Sequence, residues 1–350
     1  VAANEEFIYL AEDGSKTEVP ANSTLNLEYA DYAPLDTTPY QFMRVYELII
    51  ADGYDKKGVA IQDLQVTFSV KKVSNDTEEP SEATISIVNL AEDTAKLLAK
   101  KWPVVMLKVG YLKTGLQTLF QGEVYDLETK RQGTDCITTF KATPFKQNMD
   151  YGYVSGFIAA GGTLANAFDK IRESMGAAKG IWRSEKLNYS APFGWTLSGS
   201  PKQELQRLCD AYNLEYRIDK NILYINDIET STDSTVATAP LLTYTTGLLE
   251  GPYDSTTRIK RGKLDPLRKK SFYVKALLNP SVRAGWMVKI QGTNNDGVYK
   301  VESANFRGDY RGGDWIMELD LVTTDEYAKL RAEDARKAAK KDKNKKEEVK

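Results

Sequence analysis

Hydrophobic and polar positions alternate through most of the chain between residues 42 and 145. Leu64, Val66, Phe68 and Val70 take turns with Gln65, Thr67 and Ser69, the period-2 pattern of a half-buried strand. A polar, turn-rich segment over residues 74–81 leads into a second strand at 84–88, and Val45 to Ile50 supplies a lead strand before both. Asn89 and Glu92, three apart, have the spacing of a variant capping box and predict a short helix running through Lys100. Strand patterning returns at 104–109, 118–124 and 136–142.

Past Phe145 the period changes. Thr163 is placed to cap a helix whose Leu164, Ala167, Phe168, Ile171 and Met175 form one apolar stripe. Ser200, Pro201 and Gln203 open a second helix with Leu205, Leu208, Cys209 and Tyr212 on its buried face. A hairpin follows, Leu214–Ile218 against Ile222–Ile225, with its turn at Asp219–Asn221. The polar run 229–235 reads as a linker, after which strands are predicted at 272–276, 286–290, 297–301 and 315–321. The succession Trp102, strand, turn, strand 120–126, Arg131-Gln-Gly133, strand is echoed by Trp286, strand, turn, strand 299–305, Arg311-Gly-Gly313, strand.

These elements predict a mainly β fold with an α+β insertion: two related β-barrel or sandwich domains flanking a small α+β domain. The expected divisions are an acidic extended arm at 1–41, a first β domain at 42–149, the α+β domain at 150–228, a second β domain at 229–324, and a charged helical tail at 325–350. Prolines 20, 34 and 39 argue against helix in the arm, where one hairpin is expected around Asp13-Gly14.

Composition narrows the chemistry. Of 350 residues, 41% are hydrophobic and 27% charged, an ordinary soluble balance. No apolar run reaches the roughly 18 residues of a membrane span, and the first residues lack the layout of a signal peptide, so folding in a cytoplasm without membrane insertion is expected. The net charge of −2 conceals an asymmetry: residues 1–40 carry eight acids against Lys16, whereas residues 331–350 carry nine basic residues against five acids. Cys136 and Cys209 lie in separate segments and read as small buried residues, not as a disulfide.

The chain has no histidine, which excludes Ser-His-Asp and Cys-His mechanisms and a His-ligated zinc. Gly152-Tyr-Val-Ser-Gly156 is not a nucleophile elbow, and no phosphate-binding loop occurs. No residue qualifies as catalytic, cofactor-binding or metal-ligating. Carboxylates are abundant, yet nothing in the sequence sets two of them across a glycosidic bond. The run Arg258–Lys270 holds seven basic residues against Asp265; it reads as a solvated loop or a subunit contact, or as a surface for nucleic acid backbone.

Three stretches resemble the baseplate hub (tail hub) proteins of contractile-tailed bacteriophages, Mu-like phages included, and the hub portion of type VI secretion spike proteins. Asp63–Lys72 through Ala83–Leu90 is similar to the opening strand pair of that family and its entry to a short helix. Val109-Gly-Tyr111 with Leu119-Phe-Gln-Gly122 resembles the next strand pair. Asn279–Val288, Asp296–Val301 and Gly308–Trp315 resemble a second β domain. The resemblance implies a non-enzymatic homotrimer in the virion baseplate, assembled in the host cytoplasm. Each subunit would give two β domains to a ring between a hexameric tail tube and a trimeric central spike. Tube and spike proteins are its expected partners, with the tape-measure protein, baseplate wedge proteins and passing DNA as further candidates. A distal-tail or tail-associated protein of a long flexible tail, and a tail-tip peptidoglycan hydrolase acting through residues 150–228, are the alternatives.

The basic tail lies outside the resemblance and is expected to contact a partner within the assembly. Deleting residues 331–350 should therefore impair tail assembly or ejection while leaving the thermal unfolding midpoint of the remainder unchanged; full infectivity after deletion would remove this role.

Overall fold

The computed structural model describes residues 41–76, 80–227, 231–232, 239–261 and 264–323, with 255–261 and 264–270 by backbone alone, and two short strands near the N-terminus. Those two, β1 (Tyr9–Leu10) and β2 (Lys16–Thr17), pair antiparallel, and the turn expected at Asp13-Gly14 lies outside the described residues. The rest of the acidic arm and the whole C-terminal tail lie outside the described residues.

The first β region comprises β3 (Arg44–Ala51), β4 (Gly58–Ile61), β5 (Val66–Val73), β6 (Glu82–Val88), α1 (Glu92–Leu98), β7 (Val104–Tyr111), β8 (Gly115–Gln132) and β9 (Asp135–Thr143). The second comprises β15 (Leu241–Leu242), β16 (Leu248–Arg261), β17 (Leu264–Leu277), β18 (Met287–Ile290), β19 (Gly297–Asp309) and β20 (Trp315–Thr323). Between them lie α2 (Lys146–Tyr151), β10 (Val154–Ile158), α3 (Leu164–Met175), β11 (Ala178–Arg183), β12 (Trp195–Gly199), α4 (Pro201–Tyr212), β13 (Leu214–Asp219) and β14 (Ile222–Asp227).

The mainly β character and the α+β insertion are as expected, but the two β regions are not closed into barrels. They form one open sheet of 13 strands, ordered β16-β17-β20-β19-β5-β6-β9-β8-β7-β3-β4, with β18 beside β19 and β15 beside β18. Closure of a barrel requires the terminal strands to pair. Here the free edge of β5, which a first barrel would need, is taken by β19: Ser303–Asp309 runs antiparallel to Thr67–Val73.

The sheet nevertheless curls over its apolar face. Arg44 on β3 donates to the carbonyl of Asp309 at 2.6 Å, the Tyr46 ring meets Tyr310 edge-on at 4.7 Å, and the Tyr111 hydroxyl donates to the carbonyl of Leu278 at 3.0 Å. Leu48, Ile50, Ile85, Leu107 and Phe140 from one region therefore share a continuous core with Val274, Phe306 and Leu319 from the other. The inserted lobe has its own core around Phe168, Ile171, Leu205, Leu208 and Tyr216.

Local chemistry explains the helices. Thr163 accepts from the N–H of Asn166 and Ser200 from that of Gln203, each in a complete capping box, and Pro201 occupies the first helical position. The cap expected at Asn89 does not form, because α1 begins after Ala91 without a side-chain cap. Asn89 instead adopts a left-handed conformation (φ 55°) and pins β9: its amide donates to Asp135 and its oxygen accepts from the N–H of Cys136, both at 2.9 Å. Cys136 is exposed, contrary to expectation, since it lies on the projecting end of the β8–β9 hairpin; Cys209 is buried, and both are free thiols. The linker expected at 229–235 is partly interior: Ser231 and Thr232 are buried, and the N–H of Thr232 donates to the carbonyl of Gly285.

Candidate functional site

Two features stand out above the core: the seam between β5 and β19, and the surfaces left uncovered around it. On the seam's solvent face, polar residues line a groove of about 670 Å³ that crosses from one β region to the other. Ser69, Lys71, Glu82, Asn305, Glu318 and Asp320 form much of it. Its charges are tied across strands: Arg307 pairs with Glu318, Ser303 donates to Asp320 at 2.5 Å, and Lys275 meets Glu250 at 3.2 Å just outside the groove. Cross-strand pairing of this kind suits a stiff polar surface more than a reaction centre. Among the described residues, no group of three or more metal-ligating side chains comes together. No described helix is long and apolar enough to cross a membrane.

Next to the seam lies an ionic joint. Strand β13 alternates Leu214, Tyr216 and Ile218 with Glu215, Arg217 and Asp219. The apolar set enters the lobe's own core. The charged set faces the sheet, where Asp219 pairs with Lys72 of β5 at 2.6 Å and Glu215 with Lys300 of β19 at 2.8 Å. All four side chains are buried, Lys300 and Glu215 at 1% and 2% exposure. Between the two pairs, Arg217 lies over the Tyr224 ring at 4.8 Å and donates to Thr232 at 3.3 Å. Asp76, just beyond β5, accepts from the N–H of Ile218 at 2.6 Å and from Ser81, while its own N–H donates to Tyr216. The lobe is thereby fixed to both β regions at the line where they meet.

Sequence patterning does not single out these residues, because alternating charges on a strand read as a solvent face. The available signal is the alternation of sign, Glu-Arg-Asp, on a strand whose other face is fully apolar. Burial pushes the Asp219 carboxyl upward, but Lys72, Arg283 and Lys220 hold it below the usual carboxylate range. Burial also raises the Asp76 carboxyl, to about 7, over the opposing effects of the Ile218 N–H, Arg217 and Ser81.

Two exposed apolar groups complete the surface. At one end of the sheet, Phe42, Met43 and Leu112 are each more than 60% exposed, and the N–H of Leu112 donates to the carbonyl of Met43. On the lobe, Phe157 projects from β10, with Tyr151, Tyr153 and Phe193 also exposed. Grouped apolar side chains in water mark contact surfaces for other proteins. Of the sequence-singled basic run, the backbone from Arg258 to Arg261 and from Leu264 to Lys270 belongs to the β16–β17 hairpin, so it is strand and not loop.

The architecture is an open curled sheet carrying a docked α+β lobe. No protein-family model matches the chain, and no curated protein matches it. Among solved structures, the 43 kDa tail protein of prophage MuSo2 from Shewanella oneidensis has a TM-score of 0.55 at 10% identity, covering 80% of this chain and 98% of that one. The tail protein from Neisseria meningitidis MC58 gives 0.54 at 9%, covering 79% and 96%. The E. coli c3393 protein, a type VI secretion component described as similar to the T4 tail proteins gp27 and gp5, gives 0.51 at 11%, covering 74% and 73%. The chain shares its fold with these phage tail and type VI secretion proteins, in keeping with the sequence resemblance; at these identities the likeness is one of fold.

Removing one member of a buried ion pair leaves the other uncompensated, which costs about 3–5 kcal/mol. Lys300→Met should lower stability by that order in urea unfolding, and Lys300→Met with Glu215→Leu should recover most of the loss. A second expectation concerns pH. An aspartate in an unfolded chain titrates near 4, so between pH 4 and 7 the folded chain holds a proton on Asp76 that the unfolded chain has released. Stability then falls as pH rises through that window and levels off above it; loss of the Asp219 charge acts only at lower pH. Asp76→Asn should flatten the decline, which amounts to up to about 3 kcal/mol between pH 5 and pH 8, read from thermal midpoints at the two values.

Proposed function

We propose that the chain is a structural baseplate hub subunit of a phage tail or tail-like injection machine, acting without catalysis. Three copies, each giving two β units, form a ring that adapts a hexameric tail tube to a trimeric central spike. The tube and spike proteins are its partners, DNA passes through the ring transiently, and the subunit resides in the virion baseplate after assembly in the host cytoplasm. Tape-measure and wedge proteins are further contacts of the same assembly.

One observation carries this reading. The order β5-β6-β9-β8-β7 in the first unit is matched by β16-β17-β20-β19-β18 in the second, within a single sheet. Two units of one topology per chain double the symmetry of any ring the chain builds, which is the requirement for joining sixfold to threefold parts. The fold likeness to tail proteins supports it, and the exposed apolar groups at the sheet end and on the lobe supply surfaces for protein neighbours.

Native mass measurement with and without the spike protein tests it. A trimer, or a trimer captured on addition of the spike, is expected. A chain that stays monomeric at high concentration and binds neither tube nor spike would overturn the proposal, as would a cleared zone on peptidoglycan zymography.

A further inference from the structure

The basic run 258–270 is folded so that like charges stand against each other. Strand β20 pairs with β17 only from Leu277 to Ser271, so from Lys270 outward β16 and β17 form a two-stranded ribbon among the described residues. Within it Arg258 is directly opposite Arg268, and Thr256 is opposite Lys270. Residues two apart share a face of a strand. Arg258, Lys260, Arg268 and Lys270 therefore occupy one face, continuing the face that carries Phe272 and Val274 into the core. The other face places Ile259 opposite Leu267. Like charges directly opposite each other destabilise an antiparallel pair, and a two-stranded ribbon is marginal by itself. Between residues 255 and 270 the sequence offers Asp265 as its one acid. Such a ribbon calls for negative charge from elsewhere.

The chain itself brings that charge to the hairpin. Residues 1–40 hold eight acids against Lys16. This arm joins the described body at Gln41, whose side-chain amide lies so close to Gly247 that the glycine has no room for a Cβ. Gly247 immediately precedes β16, and its carbonyl accepts from the N–H of Leu277, the last residue of β17, at 2.7 Å. The arm thus leaves the body at the root of the same hairpin whose far end is basic. The lengths also agree. At about 3.3 Å per residue, Arg258 and Lys260 lie about 36 and 43 Å from Gly247. Asp31 and Glu28 come ten and thirteen residues before Gln41. In an extended arm those separations are about 33 and 43 Å. Pro34 and Pro39 favour extended backbone over this stretch.

We propose that residues 28–40 of the acidic arm lie along the β16–β17 hairpin of their own chain and set Asp31 and Glu28 against the basic face of Arg258, Lys260, Arg268 and Lys270. Tethering favours this occupant over a polyanion in solution, because a segment attached at Gln41 meets the hairpin at an effective concentration on the order of mM. Nearer the root, Leu249 and Tyr253 are exposed on β16, and the arm holds Tyr32, Leu35 and Tyr40 to cover them. The arm then acts as a shield. A basic ribbon is a sequence-independent contact for nucleic acid backbone, and the arm's acids occupy it first. The docking is a property of the single chain and does not depend on the ring proposed above.

Two measurements on the full chain test this, and both must succeed. In the first, a short DNA duplex is titrated at low salt against the parent and against Glu28→Gln with Asp31→Asn and Asp36→Asn. Removing these acids should raise affinity for the duplex at least about tenfold, since the freed cations neutralise phosphates. Adding Arg258→Ser and Arg268→Ser should abolish the gain. The same change of net charge made by Glu5→Gln, Glu6→Gln and Glu12→Gln should not produce it. Thermal midpoints confirm that each chain is folded. In the second, carbodiimide coupling of the parent should link Glu28 or Asp31 to Lys260 or Lys270 within the monomer band, and high salt should remove the link. Equal binding by the parent and the first variant overturns the proposal, as does a gain that survives the serine substitutions or appears with the distal acids removed. Absence of the links, or their occurrence only between copies or only to lysines of residues 331–350, overturns it as well.

Discussion

The pairing of Thr67–Val73 with Ser303–Asp309 is the contact on which the remainder depends. It joins segments more than two hundred residues apart, so the entropy of closing that loop must be met before the pairing returns anything. Seven ladder pairs lie along it, and their apolar faces, Phe68 and Val70 on one strand and Ala304 and Phe306 on the other, sit in the shared core. Each polar face is braced in turn by its neighbours, as in the hydrogen bond of Ser69 with Asn305 and the pairing of Arg307 with Glu318. The two β regions are held together as one curved surface.

The lobe reinforces this line with charge. Buried ion pairs are a poor source of net stability, because desolvation offsets most of the attraction. Their value here is geometric. Lys72 and Lys300 belong to different β regions, and each finds its partner, Asp219 or Glu215, on the same face of β13. A shift of the seam by one residue would turn one lysine to the opposite face and strand a carboxylate in the interior, a penalty of several kcal/mol. The joint therefore adds to the register that Phe68 and Val70, buried in the shared core, already specify.

Much of the local structure was legible in the sequence for simple reasons. Strands β5 and β6 alternate over Val66–Val70 and Ala83–Ile87 because one face is buried there, and the caps at Thr163 and Ser200 are set by residues within one turn. The length of β8 was not legible beyond residue 124, since from Tyr125 to Gln132 every residue is exposed and no apolar period survives to mark the strand. Asn89 satisfies a cap pattern but spends its side chain on β9, a partner nearly fifty residues away. Glu215, Arg217 and Asp219 look solvated because pattern reports polarity, not whether the facing surface is water or opposite charge. Barrel closure failed as an expectation for a related reason: alternation tells which face of a strand is buried, and nothing in it names the strand that occupies the edge.

The register shifts in the two middle strands tie these strands of reasoning together. A bulge adds one residue on one strand, bends it and increases its local twist. In β19 the extra residue is Glu302, whose carbonyl accepts from the N–H of Ser74; on its near side the edge neighbour is β18, on its far side β5. In β8 it is Tyr125, whose hydroxyl donates to Glu82 at 2.6 Å and whose ring lies 5.0 Å from the Lys146 ammonium; β7 ends on its near side. In β19 the bulge is thus the point at which the strand exchanges a neighbour from its own unit for one from the other, and Ala304 and Phe306 carry its far half into the shared core.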